Sequence, residues 1–324
     1  MSDAVRWPCR MLSGAAVLLV AGALPAVAAS AFGYVSARRF GVRFETLPLL
    51  PSDHAPLRIL HIGDMHLVAG DQRKIDFVRS LAELDPDFIV NTGDNPGAID
   101  AVDDVITALE PLLEIPGVFV PGSNDVYGAR SANPLRYLHA PTTGEAAAHQ
   151  QDTIDVGTMF KQFQAPGQWQ FVGNRSLSLP VRDDLTLNVA GTNDAHMHAA
   201  KWPGFTETSD AASDSSDQPV ELQVAVTHAP YRRVLDAAVT AGADIIFAGH
   251  THGGQVALPA YGAIVANCDL PTGLASGMTP WRAAGKTSLV HVTAGIGASP
   301  TVPLRTFCPP EAVVIDLVGA SPDS

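Results

Sequence analysis

Short apolar runs recur along the chain, and each one stops at a cluster of polar residues and glycines. Residues 57–63 run into Asp64, residues 87–91 into Gly93-Asp94, and residues 117–120 into Gly122-Ser123-Asn124-Asp125. Further on, residues 223–226 run into His228 and residues 244–247 into Gly249-His250. Apolar runs of this length, bounded by Gly and Pro, predict buried strands. Residues 74–84 and 101–113 between them read as helices. Strand, polar turn, helix and strand in succession predict an α/β sheet with chemistry at the carboxyl ends of its strands. Every polar cluster falls at such an end.

The same pattern divides the chain. Residues 57–318 form one expected domain, interrupted by insertions at 128–170 and 199–219, the second ending in the acidic, low-complexity stretch 206–219. Residues 40–56, with Pro48, Pro51 and Pro56, read as a tether, and residues 319–324 as a tail. The N-terminal part, 1–39, is different in kind: the 27 residues from Met11 to Ala37 carry no Asp, Glu, Lys, Arg or His. A helix needs about 20 apolar residues to cross a bilayer, so a single-pass anchor in the cell membrane is expected. The competing reading is an export signal cut after Ala26-Val27-Ala28, with Pro25 breaking the helix before it. The run continues to Val35, which favours the uncleaved anchor. Arg6 and Arg10 on one flank and Arg38, Arg39 and Arg43 on the other leave the orientation open.

Composition narrows the function. Of 324 residues 46% are hydrophobic and 16% charged, enough for a full core. The net charge of −13 leaves no basic surplus to neutralise a nucleic acid, so no nucleic-acid partner is expected. Phosphate chemistry survives that test where bound cations supply positive charge locally. The three cysteines lack zinc-cluster spacing; Cys268 and Cys308 are either a disulfide of an exported domain or two buried thiols.

The chemistry-bearing residues are Asp64 and His66 in Asp-Met-His, Asp94, Asn124, His228, and His250 and His252 in Gly-His-Thr-His-Gly-Gly. Mixed carboxylate and imidazole groups suit Zn, Mn or Fe rather than Ca. Their number exceeds the needs of one tetrahedral ion and suits two ions sharing a carboxylate, the arrangement used for in-line displacement at phosphorus. Glycines in these clusters let the backbone turn sharply beside the ions.

In this order the motifs resemble those of the calcineurin-like metallophosphoesterases, over roughly residues 57–318, and Gly-His-Thr-His-Gly-Gly-Gln at 249–255 resembles the membrane-associated bacterial branch. The resemblance implies an α/β fold, a β-sandwich flanked by helices with a dinuclear site at its loop edge. Asp64, His66 and His252 would hold one metal, Asn124, His228 and His250 the other, and Asp94 would bridge them. The cofactors implied are two divalent or mixed-valence ions of Mn, Fe or Zn. Two divalent ions offset by Asp64, Asp94 and a hydroxide leave a local charge of about +1, which attracts a phosphate anion.

One motif departs from the family pattern, which places Asn-His-Asp or Asn-His-Glu after the glycine. Here Gly122-Ser123-Asn124-Asp125 has no histidine. Either Asn124 is the ligand and Asp125 takes the acid's place, or Ser123 is the ligand and Asn124 takes it. An amide oxygen ligates better than a serine hydroxyl, which favours Asn124. The missing acid makes alkyl monoesters poor substrates unless Asp194, His196 or His198 replaces it. His61 and His291 read as core or ligand-orienting histidines, Arg73-Lys74 as a solvated helix face, and Asn95 as either a turn former or a group orienting the nucleophile. The expected function is a dinuclear-metal phosphoesterase, phosphodiesterase-like, with a metal-bridging hydroxide acting at the membrane surface. Its substrate would be a phosphoester, lipid-linked or a nucleotide sugar. The alternative is a catalytically weak, membrane-tethered, metal-bound binding protein. Oligomeric state is left open.

Overall fold

Two six-stranded sheets lie face to face, because most of their strands carry apolar side chains on both faces and so need cover on both. The computed structural model describes residues 28–128, 153–206, 219–299 and 302–320. Its strands are β1 (Gly41–Leu50), β2 (Leu57–Ile62), β3 (Phe88–Asn91), β4 (Gly117–Phe119), β5 (Trp169–Phe171), β6 (Arg175–Arg182) and β7 (Leu185–Gly191). They continue as β8 (Val220–Val226), β9 (Ile245–Ala248), β10 (Ala257–Leu258), β11 (Gly262–Ala263), β12 (Gly277–Ala283), β13 (Lys286–Val292) and β14 (Glu311–Gly319). One sheet has the order β1-β14-β2-β3-β4-β5 and the other β12-β13-β9-β8-β7-β6, with β10 and β11 pairing as a separate hairpin. In the first, β2 to β5 run parallel; in the second, β13, β9, β8 and β7 do. The carboxyl ends of both parallel sets meet at one edge of the sandwich.

Leu57, Ile59 and Val313 from one sheet pack on Val224, Ile245 and Phe247 from the other. The outer face of the first sheet is covered by helices Gln72–Ser80, Val102–Leu109 and Val156–Gln164, and that of the second by Arg232–Ala241. The α/β sandwich flanked by helices expected from the sequence is therefore the fold observed.

Three expectations change. Residues 41–50 are not a tether but strand β1, paired in parallel along β14. Pro48 is tolerated because β1 is an edge strand, with β14 its single neighbour. Residues 153–170 are not part of a cap: Met159, Phe163 and Trp169 are fully buried, and Phe119 on β4 meets the rings of Phe160, Phe163, Trp169 and Phe171 at 5.0–6.1 Å. Truncating such a side chain costs about 3–5 kcal/mol. The predicted helix 74–84 ends as an α-helix at Ser80 and tightens into a 3-10 turn, Leu81–Leu84. Residues 129–152 and 207–218, which hold most of the expected insertions, lie outside the described residues, as do 1–27 of the expected anchor and 321–324 of the tail. Among the described residues no helix is long and apolar enough to cross a membrane. Residues 28–36 are helical.

A polar thread runs through the apolar interior and joins the sheets. Arg43 Nη2 on β1 lies 3.1 Å from His291 Nε2 on β13. A guanidinium only donates, so His291 carries its proton on Nδ1 and gives it to His61 Nδ1 on β2, 2.7 Å away. His61 is left protonated on Nε2, which points at Thr92 Oγ1 at 3.3 Å, and that hydroxyl donates to Ile62 O. Both rings are buried, as befits core or orienting histidines. Burial, with Arg43 adding repulsion, pushes the His291 pKa down to about 3, and burial does the same to His61 in direction.

In the unfolded chain these imidazoles titrate near 6.5. Because the folded pKa lies below that value, the stabilisation is complete above about pH 6.5 and is lost as the pH falls toward 3. The urea midpoint is therefore expected to drop between pH 7 and pH 5. In His291→Asn the drop is smaller, since one fewer proton is taken up on unfolding. Equal drops in the two proteins would show that His291 is not buried as a neutral base.

Candidate metal centre

The residues that converge at the shared sheet edge each sit just past a parallel strand: Asp64 and His66 after β2, Asp94 after β3, Asn124 in the single helical turn Ser123–Val126 after β4, His228 after β8, and His250 and His252 after β9, the last opening a 3-10 turn. Five of them have left-handed backbone, with φ of 47° at Asp64, 39° at His66, 56° at Asp94, 70° at His250 and 51° at His252. For residues with a Cβ that conformation costs roughly 1–3 kcal/mol each. Cross-turn hydrogen bonds fix it: Asp64 N donates to Gly93 O at 2.8 Å and His66 N to Asp94 O at 3.0 Å. Two glycines give the carboxylates room. A Cβ at Gly122 would collide with Asp94 Oδ1, and one at Gly249 with Asp64 Oδ2.

The donor atoms form two groups that share a residue, Asp64 with His66 and His252, and Asp64 with Asp94 and His228, the atoms of each lying within 4.8 Å of one another. His66 Nε2 faces His252 Nε2 at 3.0 Å, and His252 Nε2 lies 3.7 Å from Asp64 Oδ1. Asp94 Oδ2 stands between the two sets, 3.6 Å from His66 Nε2 and 3.5 Å from His228 Nε2. His228 donates Nδ1–H to Thr92 O at 2.7 Å, so Nε2 is the atom it turns toward the ligands, protonated beside Asp94 until a cation displaces that proton. His250 Nδ1 lies 3.3 Å from His228 Nε2, while His250 Nε2 reaches Asn267 O at 3.1 Å. Asn124 is the member of its loop that reaches Asp94: its backbone N–H meets Oδ1 at 2.7 Å and its amide meets Oδ2 at 2.8 Å.

The electrostatics fit cations. Burial raises the Asp64 carboxyl to about 7, against the pull of His228. Burial lowers His66 to about 4, and holds His250 and His252 well below the imidazole range. Burial works against charge on Asp94 and His228 as well, but their mutual attraction wins, holding Asp94 well below and His228 well above their usual ranges. The set thus presents several neutral imidazole lone pairs and two carboxylates in a nearly dry space. Asp64 Oδ1 is buried without a hydrogen-bond partner, which is costly unless a cation takes it. These residues fit divalent metal ions.

Other residues find different places. Both oxygens of Asp125 accept from the surrounding loops: Oδ2 from Asp94 N at 2.7 Å and Gly122 N at 2.8 Å, Oδ1 from Asn95 N at 3.0 Å and Asn95 Nδ2 at 2.9 Å. Asp125 is fully buried, so its carboxylate faces backbone rather than the space between the ligands. Asn95, bonded to it and to Asn91, is a turn former. His196 lies beside the ligands, its ring 4.5 Å from that of His250 and its Nδ1 3.0 Å from Tyr231 Oη. Asp194 is buried, burial raising it to about 6, and His198 is exposed. Lys74 is not on a solvated face: its buried ammonium donates to Met65 O at 2.9 Å and His66 O at 3.1 Å, bracing the first ligand turn. Cys268 and Cys308 are free thiols. Sequence reading missed Arg305 altogether. Its fully buried guanidinium donates to Ala294 O and Gly295 O, and lies 3.2 Å from His252 Nδ1. Nothing local marks it: besides Cys308 and Pro309 nearby, it gathers the carbonyls of Ala294, Gly295 and Gly297 across the loop and lies against His252, 53 residues away.

Comparisons with known proteins give the family of the chain. A profile of the calcineurin-like phosphoesterases matches residues 57–254. The uncharacterized metallophosphoesterase YkuE of Bacillus subtilis strain 168 is 25% identical over 83% of this chain and 82% of its own. YpbG, an uncharacterized protein of the same organism, is 25% identical over 93% of this chain and 97% of its own. Among solved structures, TT1561 of Thermus thermophilus aligns with a TM-score of 0.36 at 11% identity, covering 74% of this chain and 90% of that one.

Gly122→Ala tests whether close approach at Asp94 is what the loop provides. The added methyl displaces the carboxylate and is expected to lower Mn²⁺ or Zn²⁺ affinity by tenfold or more in calorimetry, within the range of about 10–100-fold seen when groups that orient ligands are lost. Gly273→Ala, where the methyl meets nothing within 4 Å, leaves affinity unchanged. Equal affinity in both variants would refute the steric role.

Proposed function

The chain belongs to the calcineurin-like phosphoesterase family and is a metal-dependent phosphoester hydrolase; from that premise we propose that it works with two metal ions, on phosphodiesters, at a membrane surface. The observation that carries the two-metal reading is Asp94 Oδ2, 3.6 Å from His66 Nε2 and 3.5 Å from His228 Nε2 and so within reach of both ligand sets. Asp64, His66 and His252 would hold one ion and Asn124, His228 and His250 the other, each of Mn, Fe or Zn type. When bound, such ions supply Lewis acidity and lower the pKa of water from 15.7 toward about 7.

In the reaction a water oxygen bonds to phosphorus, the ester P–O bond breaks, and the leaving oxygen takes up a proton. Asp125 is unsuited to give that proton, with four N–H donors bound to its two oxygens. Its role is to hold the turns of Asp94 and Asn124 in register. His196 is the better placed, its ring packing on His250 at the site with Tyr231 Oη 3.0 Å from Nδ1; burial sets it at about 4, and the negative charge of a bound phosphoester would raise it to hold the proton it gives. The uncharged run from Met11 to Ala37 supports the membrane location, and with it a lipid-linked or nucleotide-sugar diester as substrate class.

The full-length protein in detergent is expected to hydrolyse bis(p-nitrophenyl) phosphate with added Mn²⁺ or Zn²⁺ and to stop with chelator. Asp94→Asn should lower the rate by about 10²-fold or more. A folded, metal-loaded protein that turns over neither this diester nor p-nitrophenyl phosphate would favour the binding-protein alternative, which the missing histidine after Gly122 motivates. His196→Ala should cost about 10²–10⁴-fold on an alkyl phosphodiester, whose leaving group needs the proton, and under tenfold on the p-nitrophenyl ester. Equal losses on both esters would remove His196 as the acid.

A further inference from the structure

Several large apolar side chains stand exposed in one continuous band beside the metal centre. The helical residues 28–36 sit on the segment 304–307: Gly33 O accepts from Arg305 N at 3.0 Å, and the rings of Phe32 and Phe307 lie 5.5 Å apart. Thr306 is in turn bonded to the β10–β11 hairpin, accepting from Ala257 N at 3.0 Å and donating to Ala257 O at 2.9 Å. That hairpin carries Leu258 and Tyr261, and Ile264 follows it. Tyr261 is 74% exposed and Phe307 59%. Tyr34 and Val35 on the helical segment are exposed as well.

The band borders the site. The hairpin is inserted between Gln255 and Val265, and both of these line the pocket together with His250, His252 and Asn267. The segment 304–307 also contains Arg305, whose guanidinium reaches His252. One face of these loops thus bounds the metal centre and the other presents Phe307, Leu258 and Tyr261 to the outside.

What covers the band is indicated by the chain that enters it. Residues 28–36 continue directly from the uncharged run that begins at Met11. At 1.5 Å per helical residue that segment is only about 14 Å long, so the run meets the folded part beside Phe32 and Phe307. Arg38 and Arg39 follow, Arg38 lying 3.7 Å over the ring of Tyr34. Aromatic rings backed by arginines belong at the boundary between headgroups and acyl chains. We propose that this band is the face the protein lays on a lipid bilayer, so that the mouth of the metal centre opens at the headgroup layer and the phosphoester it takes is carried on a lipid. The inference rests on the anchor reading above and adds an orientation and a substrate source to it.

The test uses the full chain in vesicles of phosphatidylcholine and phosphatidylglycerol. Flotation comes first. Tyr261→Trp is then compared with Asp53→Trp, a control at the far end of β2, about 20 Å from Asp64. The added emission at 261 is expected to lose roughly half its intensity when the lipids are brominated near the headgroups, and that at 53 to keep it. The double variant Tyr261→Ser/Phe307→Ser should hydrolyse a phosphatidyl p-nitrophenyl ester in vesicles about tenfold more slowly, with bis(p-nitrophenyl) phosphate turnover in solution unchanged. Flotation without quenching at 261 overturns the orientation and leaves the anchor standing. Failure to float overturns the anchor and the orientation with it. A 261 probe shielded from both brominated lipid and soluble acrylamide assigns the band to a second copy and also overturns the proposal, as does an equal loss on the two esters.

Discussion

Burying two carboxyl groups side by side in a nearly dry space is the constraint to which the whole sheet edge answers. Asp64 and Asp94 are each at most 3% exposed, and an unpaired buried carboxylate is costly. The surroundings are arranged accordingly. Backbone N–H groups of His250 and Asn124 point at the two carboxylates, imidazoles ring them, and left-handed turns swing the side chains out of the sheet ends toward one another. These turns are strained on their own account. Lys74, Asp125 and Arg305 hold them by binding the very backbone groups that the turns leave without regular partners.

The fold and the centre are not separate constructions. Thr92 belongs to both: its hydroxyl ends the thread that begins at Arg43, and its carbonyl accepts the Nδ1 proton of His228. The thread makes the tautomers of His61 and His291 a consequence of an arginine on the outermost strand. A sandwich cemented only by aliphatic contacts would hold its sheets together but would not fix the rotation of Thr92, because dispersion contacts carry little directional information.

Much of this was legible because it is local. Apolar runs ending in Asp, Asn or His place a strand and its ligand within a few residues, so five strands and the ligand candidates could be read directly from the sequence. What escaped depends on distant partners. β1 looked like a tether because three prolines mark its neighbourhood, and its strand character comes from β14, some 270 residues away. Met159, Phe163 and Trp169 belong to the core only because Phe119 waits for them. Lys74 shows an ordinary helix pattern, and it is the carbonyls of Met65 and His66 that draw it inward. Asp125 read as an acid by position in a motif; of its four N–H donors Gly122 alone lies in its own loop, and the other three come from Asp94 and Asn95 some 30 residues back. Arg305 has no signature at all, being defined by the carbonyls it gathers.

The place of β14 between β1 and β2 has a consequence for the order of events when the protein is made. β1 leaves the ribosome early but finds no partner until residues 311–319 have followed it, since its register runs entirely along that late strand. Closing so long a loop is entropically slow. During synthesis the β2–β3–β4 ladder and its helices can form while the edge beside β2 stays open, an exposed seam with unpaired backbone groups. The last strand then completes the sheet and captures the first, with Arg43 to Glu311 and Arg58 to Asp316 as its clasps. Nascent chains arrested before residue 311 would thus carry every candidate metal ligand on a sheet whose seam is still unsealed, a state that invites chaperones and self-association.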